Sequence, residues 1–309
     1  MTTELPSRGT ANATPEAPAE AAVPAQVAAT STTTTAVDPA PPTMLWHYTR
    51  WDALHGMMVN RELWLSNFYF LNDFNEGVIL PMRIREMQGD FHDQMRPQIL
   101  KAVDTIKREL YLLSLSERDD SLTQWLSYAS PGPGFAIGFD TERLLAIDLG
   151  MRVVRCVYDK ADQVAMVRDY FRGYTTAWIA QNEPPPGDKN IRFWMNKNKQ
   201  VWDRFLLGGY INLSQRLKSH EFSDEKEWRF TTGQNGEAGK QIHFRSNGAF
   251  VVPYIKLGLD PDPGKFPIRK ILVRPSANIE VIVDGVQRMC QAHGLKDIEV
   301  VKSKVALRE

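Results

Sequence analysis

Three short stretches of the chain carry side chains able to do chemistry together. The first is His47-Tyr48-Thr49, at the end of an apolar run. The second is Trp64-Leu65-Ser66. The third is Glu225-Lys226-Glu227-Trp228-Arg229, far downstream. Read as a strand, the first puts His47 and Thr49 on one face and Tyr48 on the other. Two hydrogen-bonding groups spaced in this way can grip a ribose or an amide. Trp64 and Ser66 likewise share a face, which suits a flat aromatic ligand held by stacking and one hydrogen bond. In the third stretch, read as one strand, Glu225, Glu227 and Arg229 line one face. The two carboxylates then stand about 6.6–6.8 Å apart, and Arg229 can hold one of them ionised. Each stretch also has a structural alternative: a polar edge strand for the first and third, a core tryptophan for the second. A fourth, Ser114-Leu115-Ser116 followed by Gln124-Trp125-Leu126-Ser127-Tyr128, reads mainly as framework.

The elements that must position these residues follow from periodicity. MLWHYT reads as a strand, 53–60 as a helix capped by Asp52, and ELWLSN as a second strand. FLNDFNEG reads as a polar loop, and much of 77–108 as a long helix. YLLSLSE alternates as a strand. Ser121 with Gln124 resembles a capping box opening a helix. FAIGFD is a strand, after which Thr141 caps TERLLAI, and MRVVRCVYD is another strand. Helices are expected over roughly 160–181 and 191–218. KEWRFTT, KQIHFR, AFVVPYIKL and IRKILVR then read as strands, followed by a helix over 279–293 and the strand IEVVKS. Helices gathered between two groups of strands imply an α+β fold with a mixed, largely antiparallel sheet, rather than a doubly wound one.

Composition sets the outer bounds. The 309 residues are 43% hydrophobic and 10% aromatic, enough to bury a sizeable core. Residues 1–43 are rich in Ala, Thr and Pro and lack Lys, Ile and all aromatics. They are expected to be a disordered tail, and 44–309 a single domain. Net charge is zero, so no overall basic excess points to general nucleic-acid binding. No apolar run reaches the ~20 residues of a membrane helix, and no Sec-type signal is visible. A soluble, cytoplasmic protein is expected, with non-Sec export as an effector left open. Cys156 and Cys290 are expected to be buried thiols.

Several familiar motifs are missing. The six histidines form no HxxxH and no Cys pairing at zinc spacing. GxSxG and the GxxxxGK[ST] loop are absent. The run Gly132-Pro133-Gly134-Phe135-Ala136-Ile137-Gly138 precedes a strand, the wrong context for a dinucleotide-binding turn. NDFNE lacks calcium-loop spacing.

LWHYTRWDALHGMM with LWLSNFYFLNDFNE, then LLSLSERDDSLTQWLSYASPGPGFAIGFD, then KSHEFSDEKEWRF resemble, in order, three blocks of the bacterial domain-of-unknown-function family numbered 2971. That resemblance names no activity. More distantly, the order of elements resembles ADP-ribosyltransferases. In those proteins a first strand bears His or Arg, a second an aromatic or Ser, and a late strand the catalytic Glu. This resemblance implies a split sheet with helical insertions and NAD as the substrate. It further implies Glu227 as the carboxylate that stabilises an oxocarbenium-like ribose and Glu225 as the group that orients or deprotonates the acceptor. A cofactor-binding set of His47, Tyr48, Thr49, Trp64, Ser66 and Asn72 is implied too, with Ser66 positioning Glu227 and no metal. The acceptor (protein, nucleic acid or small molecule) is open. Trp64 stands where several of those proteins have Tyr, and the long insertion after the second strand departs from their pattern. Two other classes compete: a non-catalytic nucleotide- or protein-binding module, and a metal-dependent hydrolase or nuclease using Asp73, Glu76, Glu225 and Glu227.

Overall fold

The computed structural model describes residues 39–71, 76–87, 110–181, 208–232 and 241–306, all within the compact unit Thr34–Glu309. The expectations for the tail before residue 39, for Asn72 and Asp73, and for helices over 88–108 and 191–207 lie outside the described residues. No described helix is long and apolar enough to cross a membrane.

The chain opens with strand β1 (Met44–Arg50), helix α1 (Trp51–Asn60) and strand β2 (Glu62–Asn67). Asp52 lies in the first turn of α1 rather than at its cap, which is Arg50. A carboxylate there still suits the helix dipole. Helix α2 (Glu76–Glu86), strand β3 (Tyr111–Ser116), helix α3 (Leu122–Tyr128) and strand β4 (Gly134–Asp140) follow. After helix α4 (Thr141–Ala146), strand β5 (Met151–Arg155) and helix α5 (Lys160–Gln181), strands β6 (Glu227–Thr232), β7 (Ile242–Ser246), β8 (Val251–Gly258) and β9 (Ile268–Val273) build the far side. Helix α6 (Ile279–Ala292) and strand β10 (Glu299–Lys302) complete it. The caps differ from expectation. Ser121 makes no side-chain cap bond. Asp140, not Thr141, caps α4 by accepting from the Arg143 amide, while Thr141 Oγ1 donates to Pro42 O.

The strands form one sheet in the order β10-β9-β4-β1-β3-β2-β8-β7, with β6 pairing β3 and β5. Every pairing is antiparallel except β9 with β10. The expected α+β class is therefore observed. On one side of β3, β6 runs in register from Leu112↔Thr231 to Ser116↔Glu227. Its other side is shared by two strands. Ser116 faces Trp46 of β1, whereas Tyr111 and Leu112 face Asn67 and Ser66 of β2. Between those contacts the sheet splits at Ser114.

Both faces of this sheet are covered. Leu45, Leu63, Leu65, Leu113, Leu115, Trp228 and Phe230 pack with Leu54, Met57 and Met58 of α1 and Val286 and Cys290 of α6. On the other face, Phe68 and Leu112 meet α2, α5 and the helical segment 208–214, and Trp46 and Tyr48 meet Trp125 of α3. Truncating any of these large side chains to Ala costs about 2–5 kcal/mol. Double coverage explains why β6 is buried at every position and does not alternate as a solvated edge strand would. Gly138 has a packing role here. It lies opposite Trp46, and a Cβ would come within 2.9 Å of the indole.

Candidate functional site

Glu225 and Glu227 do not share one strand. Glu225 ends a 3-10 turn, His220–Glu225, and Lys226 takes the left-handed conformation at φ 47° before β6 begins at Glu227. That turn rotates the two carboxylates toward each other. Lys218 Nζ lies 2.5 Å from Glu225 Oε2 and 2.6 Å from Glu227 Oε2. The expected strand spacing is thus replaced by convergence on one ammonium, because the backbone reverses at Lys226.

Arg229 completes the cluster. Its Nε donates to Glu227 Oε1 at 3.0 Å, its Nη2 to Glu227 Oε2 at 3.1 Å and its Nη1 to Gln215 O at 3.1 Å. The Tyr128 hydroxyl donates to Glu225 Oε1 at 2.6 Å. The Cys156 thiol lies 3.6 Å from Glu227 Oε2. All four charged groups are buried, Arg229 completely. Two anions and two cations balance, as burial requires. Burial pushes the Glu227 carboxyl upward, but the Arg229 and Lys218 charges outweigh it and hold the group well below the usual carboxylate range. Burial, reinforced by the Glu225 charge, keeps the proton on the Tyr128 phenol. The Glu227 amide donates to the Tyr158 hydroxyl at 2.7 Å, and Ser116 Oγ donates to Glu225 O at 2.7 Å. The side chains bonded to the Glu227 carboxylate are thus Lys218, Arg229 and Cys156; Ser66 is not among them.

His47 occupies the split. Its Nδ1 lies 2.9 Å from Ser114 O, where a continuous sheet would supply a backbone amide. A carbonyl only accepts, so Nδ1 carries the proton and Nε2 of the neutral ring is left as an acceptor. Burial lowers the proton affinity of the ring, the Ser114 carbonyl works the other way, and the Arg245 charge adds to the lowering. Tyr48 points to the opposite face and is buried against Trp125. Its hydroxyl accepts from the Ser121 amide at 3.0 Å and donates to Arg118 O at 2.9 Å. It anchors the loop ahead of α3 and shares no wall with His47. Thr49 is partly buried on the His47 side of β1.

Trp64 and Ser66 belong to a third group, on a ledge formed by β2, β8 and β7. The Trp64 ring is 37% exposed and stacks on Tyr254, centroids 4.5 Å apart. His243 lies against the same tyrosine at 5.5 Å. Glu62 accepts from the Trp64 indole and pairs with Lys256. Ser66 Oγ accepts from Arg245 Nη2 at 2.8 Å. Arg245 links two of the expected site residues, binding Ser66 and acting on His47 through its charge.

The expected residues therefore fall into three places: the carboxylates at the head of β6, His47 in the split, and Trp64 with Ser66 on the ledge. Lys218 and Arg245 were not anticipated, and Tyr128, which reads mainly as framework in the sequence, bonds the Glu225 carboxylate. Lys218 follows an ordinary helical pattern, and Arg245 reads as one cation on an exposed strand. Among the described residues no group of three or more His, Cys, Asp or Glu side chains is placed to hold a metal ion.

The comparison with curated proteins returns no match, and neither does the comparison with solved structures. Residues 124–230, about a third of the chain, match the family model described as "Protein of unknown function (DUF2971)", and that span holds the entire buried ionic cluster: Tyr128, Cys156, Lys218, Glu225, Glu227 and Arg229.

Proposed function

We propose that the protein is an ADP-ribosyltransferase-like enzyme that consumes NAD, acting in the cytoplasm as a toxin, effector or phage-defence component. One observation carries this reading. A carboxylate pair stands at the head of β6, with Glu227 held ionised by its cations, and β6 is two strands from β1, the strand that bears His47, through Glu227↔Ser116 and Ser116↔Trp46. That register sets Glu227 on the Trp46 face, and a nicotinamide riboside spanning two strand spacings, about 10 Å, would reach His47 through the split at Ser114.

In the proposed reaction the bond between the nicotinamide nitrogen and ribose C1′ breaks. Its electron pair leaves with nicotinamide, and positive charge develops on the ribose. Glu227, kept ionised by Arg229 and Lys218, faces that charge as carboxylates do in glycoside cleavage. The acceptor then bonds to C1′, and Glu225 takes the proton that the acceptor loses. His47 Nε2 accepts from a ribose hydroxyl. The acceptor is a protein, a nucleic acid or a small molecule.

A second reading, a nucleotide-binding module without chemistry, is favoured by a specific observation. Both oxygens of Glu227 are already bonded to Lys218 and Arg229. On that reading NAD binds and stays intact. Incubation of the purified protein with NAD, with free nicotinamide as the readout, separates the two. Release by the wild type that is lost in Glu227→Gln supports the transferase. Binding without release supports the module.

A further inference from the structure

Arg245 lies on the ledge beside Ser66 and, like Arg61, has a buried N–H without a partner among the described residues. The interior arginine Arg229 is satisfied by Glu227, and Arg83, Arg143, Arg155 and Arg288 each meet a carboxylate. Arg245 meets no carboxylate among the described residues. Its Nη2 donates to a neutral hydroxyl, Ser66 Oγ. Its Nε is buried without a hydrogen-bond partner among the described residues. A guanidinium with a desolvated, unmatched N–H is costly, and burial already works against its charge.

The surroundings specify what would relieve that cost. Cross-strand register sets Arg245 opposite Val252 and His243 opposite Tyr254 on β7 and β8, and Ser66 opposite Tyr254 on β2 and β8. Arg245, Ser66, Tyr254, His243 and Trp64 therefore lie on one face of the ledge. Glu62, on the same face of β2, is already engaged by Lys256 and the Trp64 indole. An anion is wanted at Arg245, and the exposed indole of Trp64 lies on the same face two strands away, across β8. A planar fork of N–H donors matches the paired oxygens of a phosphate, and an exposed indole matches a base.

We infer that Arg245, oriented by Ser66, binds the phosphates of a nucleotide diphosphate whose base packs on Trp64, so that the β2–β8–β7 ledge is the nucleotide-recognition subsite. The inference deepens the NAD reading and rests on it for the identity of the second half of the ligand, while phosphate binding itself does not depend on cleavage.

The test uses the full chain with ADP-ribose, which has the diphosphate and base but no nicotinamide to lose. Titration calorimetry should show binding by the wild type, weakened by about tenfold or more in Arg245→Gln. Arg245→Lys should recover only part of the loss, because it keeps the charge without the fork. Adenosine should bind the wild type and Arg245→Gln alike, and Trp64→Ala should weaken adenosine and ADP-ribose together. Thermal melting controls for folding, and Ser66→Ala, which leaves the guanidinium in place but frees it, should give a smaller loss of the same kind. Equal ADP-ribose affinity in wild type and Arg245→Gln, or no binding by the wild type, overturns the inference. ADP-ribose binding through Arg245 with no nicotinamide released from NAD would uphold it and remove the transferase reading. Nicotinamide release with an unchanged KM for NAD in Arg245→Gln would do the reverse.

Discussion

Glu225 and Glu227 share one ammonium group: Lys218 Nζ sits 2.5 Å from an oxygen of the first and 2.6 Å from an oxygen of the second. Removing that ammonium leaves two buried carboxylates facing each other. Lys218→Met should therefore lose about 3–5 kcal/mol of stability at pH 7, as expected when one partner of a buried ion pair is deleted. The loss should shrink near pH 5, because one carboxylate of an unbridged pair takes up a proton. Urea unfolding at both pH values checks this. Equal losses at the two would contradict it.

The wild type should lose stability in acid through Glu227. Its folded-state pKa is depressed, so its contribution is fully present above the ordinary value of 4.5 and disappears as pH falls from there toward 2. The stability gap between wild type and Glu227→Gln should be widest at neutral pH and narrow below about pH 4. A gap that stayed constant between pH 7 and pH 3 would mean that the Arg229 and Lys218 charges do not hold the carboxyl down.

Where the sheet splits, the Ser114 carbonyl depends on His47. His47→Ala should cost about 1–3 kcal/mol, the penalty for a polar group left unpaired. His47→Asn, whose amide nitrogen sits near the position of Nδ1, should recover part of it. Denaturant midpoints for the three proteins decide. Equal midpoints for the Ala and Asn variants would show that the imidazole acts by packing alone.

Tyr48 is assigned to the framework by its contacts. Its hydroxyl takes the buried Ser121 amide and donates to Arg118 O. Tyr48→Phe should thus lower stability by about 1–3 kcal/mol and leave ADP-ribose affinity unchanged. A variant that folds as stably as wild type but binds the nucleotide poorly would return Tyr48 to the site.

Most of the strands were legible because their side chains announce them. YLLSLS, GFAIGF and EWRFTT combine β-branched or aromatic residues with short length, and these segments are strands. The Glu-Lys-Glu stretch misled because nothing marks Lys226 as a reversal: left-handed backbone is usually signalled by Gly or Asn, and here the surrounding contacts impose it on a lysine. Lys218 was invisible for a related reason. A lysine reads as a surface residue, and only the fold reveals that its stem is buried with its charge matched by two glutamates. The caps at Ser121 and Thr141 fit local patterns, but here the Ser121 amide donates to the Tyr48 hydroxyl and Thr141 Oγ1 donates to Pro42 O. Local signals named the residues His47, Trp64, Ser66, Glu225 and Glu227. Their sorting into three places came from the split at Ser114, which depends on long-range pairing that no short window contains.

The most direct measurement is the release of free nicotinamide from NAD by the purified full chain, compared with Glu225→Gln and Glu227→Gln variants whose folding has been verified. Release by the wild type is expected, with none above background from Glu227→Gln. Glu225→Gln should slow transfer to an acceptor more than it slows loss of nicotinamide. No release by a wild-type protein that binds ADP-ribose, or equal release by wild type and Glu227→Gln, would contradict the transferase reading.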